Sequence, residues 1–332
     1  MEDDLSRPTD ADVAAMARLS GDLVILGVAG KMGPTLARLA LRASCAAGSS
    51  RRIVGVSRFS NPDVRERLES WGIRTIRADL LRRRHVQRLP KLPNVILMAG
   101  RKFGTSGLPG RTWASNIYLP ALVAEHYRAS RIVAFSSGNV YSLTPAPGSG
   151  PDESTPPGPV GEYAQSVLGR ERILEHFSET CGTPVALMRL NYAVEPRYGV
   201  LRDIADRVRG RTPVDVSMGY VNVIWQRDAN SVALRLLERA SSPPLVLNVT
   251  GPDALAVRAL AGKFGQAFGI PPAFDGSEGD TALLSDASRC RTMFPDPLVG
   301  VDEMVQRIAG WMLGGGRSLG KPTHFEERGG AF

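Results

Sequence analysis

The chain has 332 residues, 43% of them apolar, and carries 41 Lys and Arg against 33 Asp and Glu for a formal net charge of +8. That length and composition describe a globular protein with a full core, in one large domain or two closely joined ones. No apolar run approaches the roughly 18 residues of a membrane span, and the acidic opening MEDDLSRPTD has no apolar stretch behind it, so no membrane partner and a cytoplasmic location are expected.

Neither disulfide nor metal chemistry is indicated: Cys45, Cys181 and Cys290 are odd in number and far apart, and His85, His126, His176 and His324 show no ligand spacing. The densest basic run, RRRHVQR (82–88), has no aromatic residue interleaved for base stacking, so it reads as a solvated face and no nucleic-acid partner is expected. The excess positive charge fits phosphates of a small cofactor or an anionic substrate instead.

In chain order, DADVAAMARL reads as a short helix capped by Thr9 or Asp10, an N-terminal arm over residues 1–20. Six short runs rich in β-branched residues follow: LVILG (23–27), RIVGVS (52–57), GIRTIRA (72–78), NVILMAG (94–100), RIVAFSS (131–137) and PVALMRL (184–190). They are separated by helix-length amphipathic segments, the pattern of a Rossmann-type α/β fold with a doubly wound parallel sheet over residues 21–190. LVLNVTG (245–251) returns to strand, and 254–268 and 301–313 to helix. Residues 191–313 are expected to form mainly a smaller α/β substrate-binding region, with the stretch near 221–251 returning to the dinucleotide domain. The tail over 314–332 is glycine-rich, yet Leu319, Pro322, His324, Phe325 and Phe332 give it an apolar and aromatic content beyond that of a solvating end. It is expected to dock on the body of the chain or on a neighbouring subunit, which leaves a homodimer open.

The first chemical motif is GVAGKMGPTLARLA, where Gly27, Gly30 and Gly33 follow the first strand directly and open a helix. Glycines allow the tight turn and close backbone approach, and the helix start supplies N–H groups to a pyrophosphate; Lys31 and Met32 share the turn. The spacing is G-x-x-G-x-x-G, and the strand–turn–helix context carries the dinucleotide reading. At the end of the second strand, where an acid would accept from the ribose 2′-hydroxyl of NAD, stand Ser57 and Arg58. A guanidinium beside a hydroxyl suits a 2′-phosphate, so NADP is favoured and NAD is the alternative. Asp79 and Leu80 follow the third strand where an adenine edge would lie, and Ala99 and Gly100 follow the fourth.

These motifs, with Asn116 in the next helix, SSGNVY at 136–141, Tyr163 and the late LSDASRCRTMFPDP, resemble in order the extended short-chain dehydrogenase/reductase family, the NAD(P)-dependent epimerases and dehydratases. The resemblance covers most of the chain. It implies an enzyme in which Ser137 polarises a substrate oxygen, Tyr163 exchanges its proton, and Asn116 belongs with the cofactor site. Asn139, Asn191, Arg197 and Asn222 are the corresponding substrate-side candidates.

One departure is sharp. In that family a lysine lies four residues beyond the tyrosine, on the same helix face, and here the position is Val167. Lowering a tyrosine from its ordinary pKa to neutrality is a shift of about 3 units, or roughly 4 kcal/mol, worth about a thousandfold in rate. Three readings stay open. Lys102, after the fourth strand, substitutes as the cation, with Arg170, about 10 Å further along the helix axis, the weaker candidate; oxidised cofactor contributes its own positive charge; or the chain is a non-catalytic dinucleotide-binding protein. A second departure concerns the substrate. Met218 stands where the family's diphosphate-clasping arginine is expected and Asn222 where a histidine is, which favours a carbohydrate-like alcohol, a sugar or sugar acid, over a nucleotide-diphosphate sugar.

Overall fold

The computed structural model describes residues 1–102, 104 and 107–331. Phe332 of the tail lies outside them. Two compact units are present: Met1–Ser137 with Glu162–Arg189 and Asn230–Leu247, and Gly138–Gly161 with Leu190–Ala229 and the chain from Asn248 onward.

The first unit is built on a seven-stranded sheet. Its strands are β1 (Leu23–Leu26), β2 (Ile53–Ser57), β3 (Arg74–Arg77), β4 (Asn94–Leu97), β5 (Arg131–Ser137), β6 (Val185–Leu190) and β7 (Leu245–Val249), the last running on into the second unit. In space the order is β7-β6-β5-β4-β1-β2-β3. β1 pairs in parallel with β2 and β4, β2 with β3, and β4 with β5. Strands β1 and β4 are buried along their whole length, which is why, apart from Asn94, whose Nδ2 donates to Ser20 O, they are continuous apolar runs rather than alternating ones. The strand order reverses between β1 and β4, and in such sheets the crevice beyond the carboxyl ends at the reversal is where a dinucleotide lies. The Rossmann-type α/β class expected from the sequence is the fold observed. β4 stops at Leu97 before Met98-Ala99-Gly100 and β3 at Arg77 before Ala78, although one further bond continues each ladder, Met98 N to Leu26 O and Ala78 N to Ser57 O, both at 2.9 Å.

Around the sheet, the helix α1 (Asp10–Arg18) is closed by a reciprocal capping box between Thr9 and Asp12. Asp12 also accepts from Ser231 Oγ, which ties the arm into this unit. Helix α2 (Gly33–Ala46) follows the glycine turn. After β4 comes a π-helical turn over Ala114–Tyr118, then α3 (Leu119–His126). Helix α4 (Gly161–Cys181), 21 residues long, carries Tyr163. Among the described residues no helix is long and apolar enough to cross a membrane.

The second unit packs the helices α5 (Val200–Arg209), α6 (Val257–Phe268) and α7 (Val301–Leu313) with four two-stranded ladders. Its tail is docked. Phe325 is 6% and Thr323 3% exposed, Thr323 donates through both N and Oγ1 to Asp203 on α5, and Leu319 N donates to Arg197 O at 3.0 Å. Asp203 is held above the usual carboxylate range by burial, with the Thr323 bonds acting against that rise. Truncation before Arg317 is therefore expected to destabilise the protein by a few kcal/mol, the scale of one buried aromatic and two bonds to a carboxylate, read as a melting temperature several degrees lower. An unchanged melting temperature would show that this docking contributes nothing.

Candidate active site

The glycine turn has the backbone geometry that its residues demand. Gly27 has φ +91°, and a Cβ there would lie 2.6 Å from Ala99 N. A Cβ on Gly33 would overlap Val28 O, where α2 crosses the end of β1. Gly30 is exposed, and its Cβ would meet only Gly27 O at 3.3 Å, so the open side of the turn is a shallow cradle that a side chain would fill. Gly30 N donates to Gly27 O and Gly33 N to Gly30 O, with the half-buried Lys31 and the buried Met32 completing the turn into the helix. An open glycine cradle at the start of a 14-residue helix fits a pyrophosphate, which takes N–H donors and the positive end of the helix dipole.

At the end of β2, Arg58 is exposed and makes no hydrogen bond or ion pair among the described residues. Ser57 pairs in register with Arg77 of β3, itself exposed, so a second guanidinium shares that rung. Sequence reading does not find Arg77, since only strand register brings residues 57 and 77 together. Asp79 Oδ1 accepts from Leu81 N and its other oxygen faces Arg82 at 3.5 Å, while Leu80 is buried in the core.

Helix α4 is held to the sheet by two adjacent charged residues. Glu171, fully buried, receives two bonds from Arg189 on β6, at 3.0 and 2.7 Å, and one from Ser136 Oγ on β5. Arg170, 5% exposed, donates to Phe135 O at 2.5 Å and to Asn116 Oδ1 at 2.8 Å. Asn116, fully buried, bonds Arg101 N, Arg101 O and Ser166 Oγ as well. Gly100 belongs to the same cluster: a Cβ on it would overlap Arg170 Nη2 and come within 2.9 Å of Asn116 Oδ1.

These attachments set Tyr163 against the end of β5, where it hydrogen-bonds with Ser137. Burial pushes the Tyr163 phenol above its ordinary value, while the Ser137 bond and the charge of Arg170 pull against that rise. Burial likewise lowers Arg170, opposed by Tyr163 and Glu171. Lys102 Nζ lies 5.8 Å from the centroid of the Tyr163 ring. Val167, which lies between Tyr163 and Arg170 along the helix, is 1% exposed. Both cations weighed from the sequence are thus brought to Tyr163, and Arg170 is not too distant to act. The helical rise separates Cα atoms, whereas positions seven apart share a helix face, and both side chains end on β5, Tyr163 at Ser137 and Arg170 at Phe135 O.

The substrate-side candidates fall in the second unit. Asn191 Nδ2 donates to Asn222 Oδ1 at 3.0 Å, Asn222 Nδ2 to Ser285 O at 2.7 Å, and both residues are buried. Arg197 pairs with the buried Glu195 at 3.0 Å and lines a cavity of about 570 Å³ with the tail. Asn139 is half-buried on the turn Gly138–Val140. Met218 is fully buried; Leu283 N donates to its sulfur, and Arg328 of the tail lies 3.9 Å from it.

The NAD dependent epimerase/dehydratase family model matches residues 23–209. The chain belongs to that family. Membership places it among the nicotinamide-dinucleotide enzymes of the extended short-chain dehydrogenase/reductase type. No curated protein matches the chain by sequence. Solved structures similar to it include UDP-glucose 4-epimerase from Thermotoga maritima with UDP-glucose, at 16% identity over 89% of this chain and 99% of that one, TM-score 0.74. UDP-glucose 4-epimerase from Thermus thermophilus with NAD matches at 18% identity over 88% and 99%, TM-score 0.72. UDP-glucuronic acid 4-epimerase from Bacillus cereus with NAD matches at 15% over 88% and 99%, TM-score 0.73. At these identities the likeness is one of fold.

Because Glu171 joins α4 to two strands, Glu171→Gln is expected to leave Arg189 a buried charge without its counter-ion. Such a loss costs roughly 3 to 5 kcal/mol, so a clearly lowered denaturation midpoint is expected, and a midpoint equal to the parent's would remove this pair from the account of how Tyr163 is placed.

Proposed function

We propose that this family member catalyses NAD(P)-dependent oxidation, reduction, epimerisation or dehydration at a hydroxyl-bearing carbon of a carbohydrate-like substrate. The observation that carries the reading is the Ser137–Tyr163 hydrogen bond at the carboxyl end of β5, in the same unit as the glycine cradle. When bound, the nicotinamide supplies hydride acceptance and return and, in its oxidised form, part of the positive charge near Tyr163. Ser137 Oγ holds the substrate oxygen, and Tyr163 Oη takes the hydroxyl proton as the carbon–oxygen bond becomes a carbonyl, or returns it in the reverse direction. Gly27, Gly30, Lys31, Met32 and Gly33 hold the pyrophosphate, and Ala99, Gly100 and Asn116 shape the floor beside the nicotinamide ribose. Since burial leaves the phenol protonated at neutral pH, the oxidative direction needs positive charge close to Tyr163.

NADP is the favoured cofactor, supported by the exposed Arg58 beside Ser57, which has no partner among the described residues, and by Arg77 on the same rung as Ser57; NAD, with which two of the similar epimerases were solved, is the alternative. A sugar or sugar acid without a nucleotide is supported by the neutral, buried Met218. One observation favours a UDP-sugar instead: Arg328 brings a guanidinium back beside Met218 Sδ. Turnover of free sugars and sugar acids against UDP-glucose and UDP-glucuronic acid separates the two.

Tyr163→Phe is expected to remove nearly all turnover while dinucleotide still binds by calorimetry. Full retained activity on a turned-over substrate would make the tyrosine structural; dinucleotide binding without turnover of any sugar, sugar acid or UDP-sugar by the parent would leave the non-catalytic reading. With Tyr163 as base, the oxidative rate should rise about tenfold per pH unit below the phenol pKa, and the reductive rate, which needs the protonated phenol, should fall only above it. Arg58→Ala should weaken NADP binding by about 1 to 3 kcal/mol, the scale of a charge-assisted contact, and leave NAD nearly unaffected. Equal losses would mean that Arg58 does not read the 2′-phosphate.

A further inference from the structure

The sequence leaves Tyr163 without the family's lysine, and the structure favours the cation that the sequence ranks second. We infer that Arg170 is the residue that stands in for that lysine: its buried guanidinium, fixed between Phe135 O, Asn116 Oδ1 and the bare backbone of Gly100, stabilises the phenolate of Tyr163 across Val167. The inference rests on the proposed role of Tyr163 and goes beyond it in assigning the charge.

Seven residues are just under two helical turns, so positions 163 and 170 share a face to within about 20°. Val167 lies near that face between them, uncharged and 1% exposed. A lysine at 167 would place a second cation against Arg170, so the valine and the arginine are matched. Arg170 is not free to turn away. Phe135 O lies two residues before Ser137 on the strand that also carries that serine, and Gly100 has no side chain to keep Nη2 at a distance. A guanidinium holds its charge at any working pH, and burial makes that charge act over several ångströms with little screening. The electrostatic effect runs both ways, Arg170 lowering Tyr163 and Tyr163 raising Arg170.

Among the described residues, other charged groups near Tyr163 have these partners or positions. On its own helix, Glu162 accepts from Trp113 Nε1, and Glu171 is engaged by Arg189 of β6 and Ser136 of β5. On the loop after β4, Arg101 turns its guanidinium to Gly104 O. Lys102 stands over the ring at 5.8 Å from its centroid and is half exposed, so water screens it. Arg170 acts through Tyr163 and is in that sense a positioning residue.

The test is the titration of Tyr163 itself, followed by fluorine NMR of protein labelled with difluorotyrosine, whose phenol titrates well below that of tyrosine, in the presence of NADP. Tyr163→Phe assigns the resonance. Arg170→Met is expected to raise the Tyr163 midpoint by about 1 unit or more, Arg170→Lys to recover part of that, and Lys102→Met to move it less. An unmoved midpoint in Arg170→Met, or a larger rise in Lys102→Met, overturns the inference. Should Arg170→Met fail to fold, the parent gives a second reading: molar salt screens an exposed ammonium but not a buried guanidinium, so the midpoint is expected to hold. A rise with salt matching that of Lys102→Met would assign the role to Lys102. The titration needs no turnover, so a failed Arg170 inference with a dead Tyr163→Phe enzyme leaves the proposed function standing, whereas an active Tyr163→Phe enzyme removes that function whatever Arg170 does.

Discussion

The attachment of one long helix to two interior strands of the sheet is the constraint on which the first unit's chemistry depends. Arg170 and Glu171, neighbours in sequence, face different partners: the carboxylate meets Arg189 and Ser136, and the guanidinium meets Phe135 O and Asn116. Each ion is costly to bury alone. Satisfied together, they fix the helix in rotation and in translation against β5, and with it the distance between Tyr163 and Ser137. An apolar face could hold the helix as tightly, yet it would tolerate sliding by part of a turn. Directional bonds to a carbonyl oxygen and to a forked guanidinium do not.

The same cluster explains the small residues around it. Gly100 is small because Arg170 Nη2 and Asn116 Oδ1 occupy the volume of its Cβ, and Gly27 because its φ of +91° and the Ala99 backbone exclude one. The cofactor cradle and the charge cluster therefore meet at the Ala99-Gly100 dipeptide, the loop that leaves β4. A change in either is felt by the other through backbone, with no need for a conformational switch. Asn116 sits on a π-helical turn, an irregularity that recurs at functional positions, and its amide is fully used in joining that turn to Arg101, Ser166 and Arg170.

Much of this is legible in the chain. The six apolar runs, the G-x-x-G-x-x-G turn and the helix starts determine the sheet and the dinucleotide crevice, because hydrophobic period and glycine permissiveness are local properties. Ser137 at a strand end and Tyr163 near a helix start are recognisable from motif and order, and their pairing follows once that helix lies on that strand. Polar residues at buried positions of an otherwise apolar helix face, Ser166, Arg170 and Glu171 among them, are the available signal that α4 is anchored by charge.

What the sequence alone does not supply is distance between side chains that are remote in the chain or long. Arg77 reaches the rung of Ser57 only through strand register, and Arg328 reaches Met218 only through the fold of the tail. Arg170 looks too far from Tyr163 because spacing along a helix counts Cα atoms, while electrostatics acts between the ends of side chains, and the strand that receives both ends is known only from the fold. Local pattern determines which elements form and which residues line them; the energy of a charge depends on burial and on every neighbour within a few ångströms, and those are decided only when the elements pack.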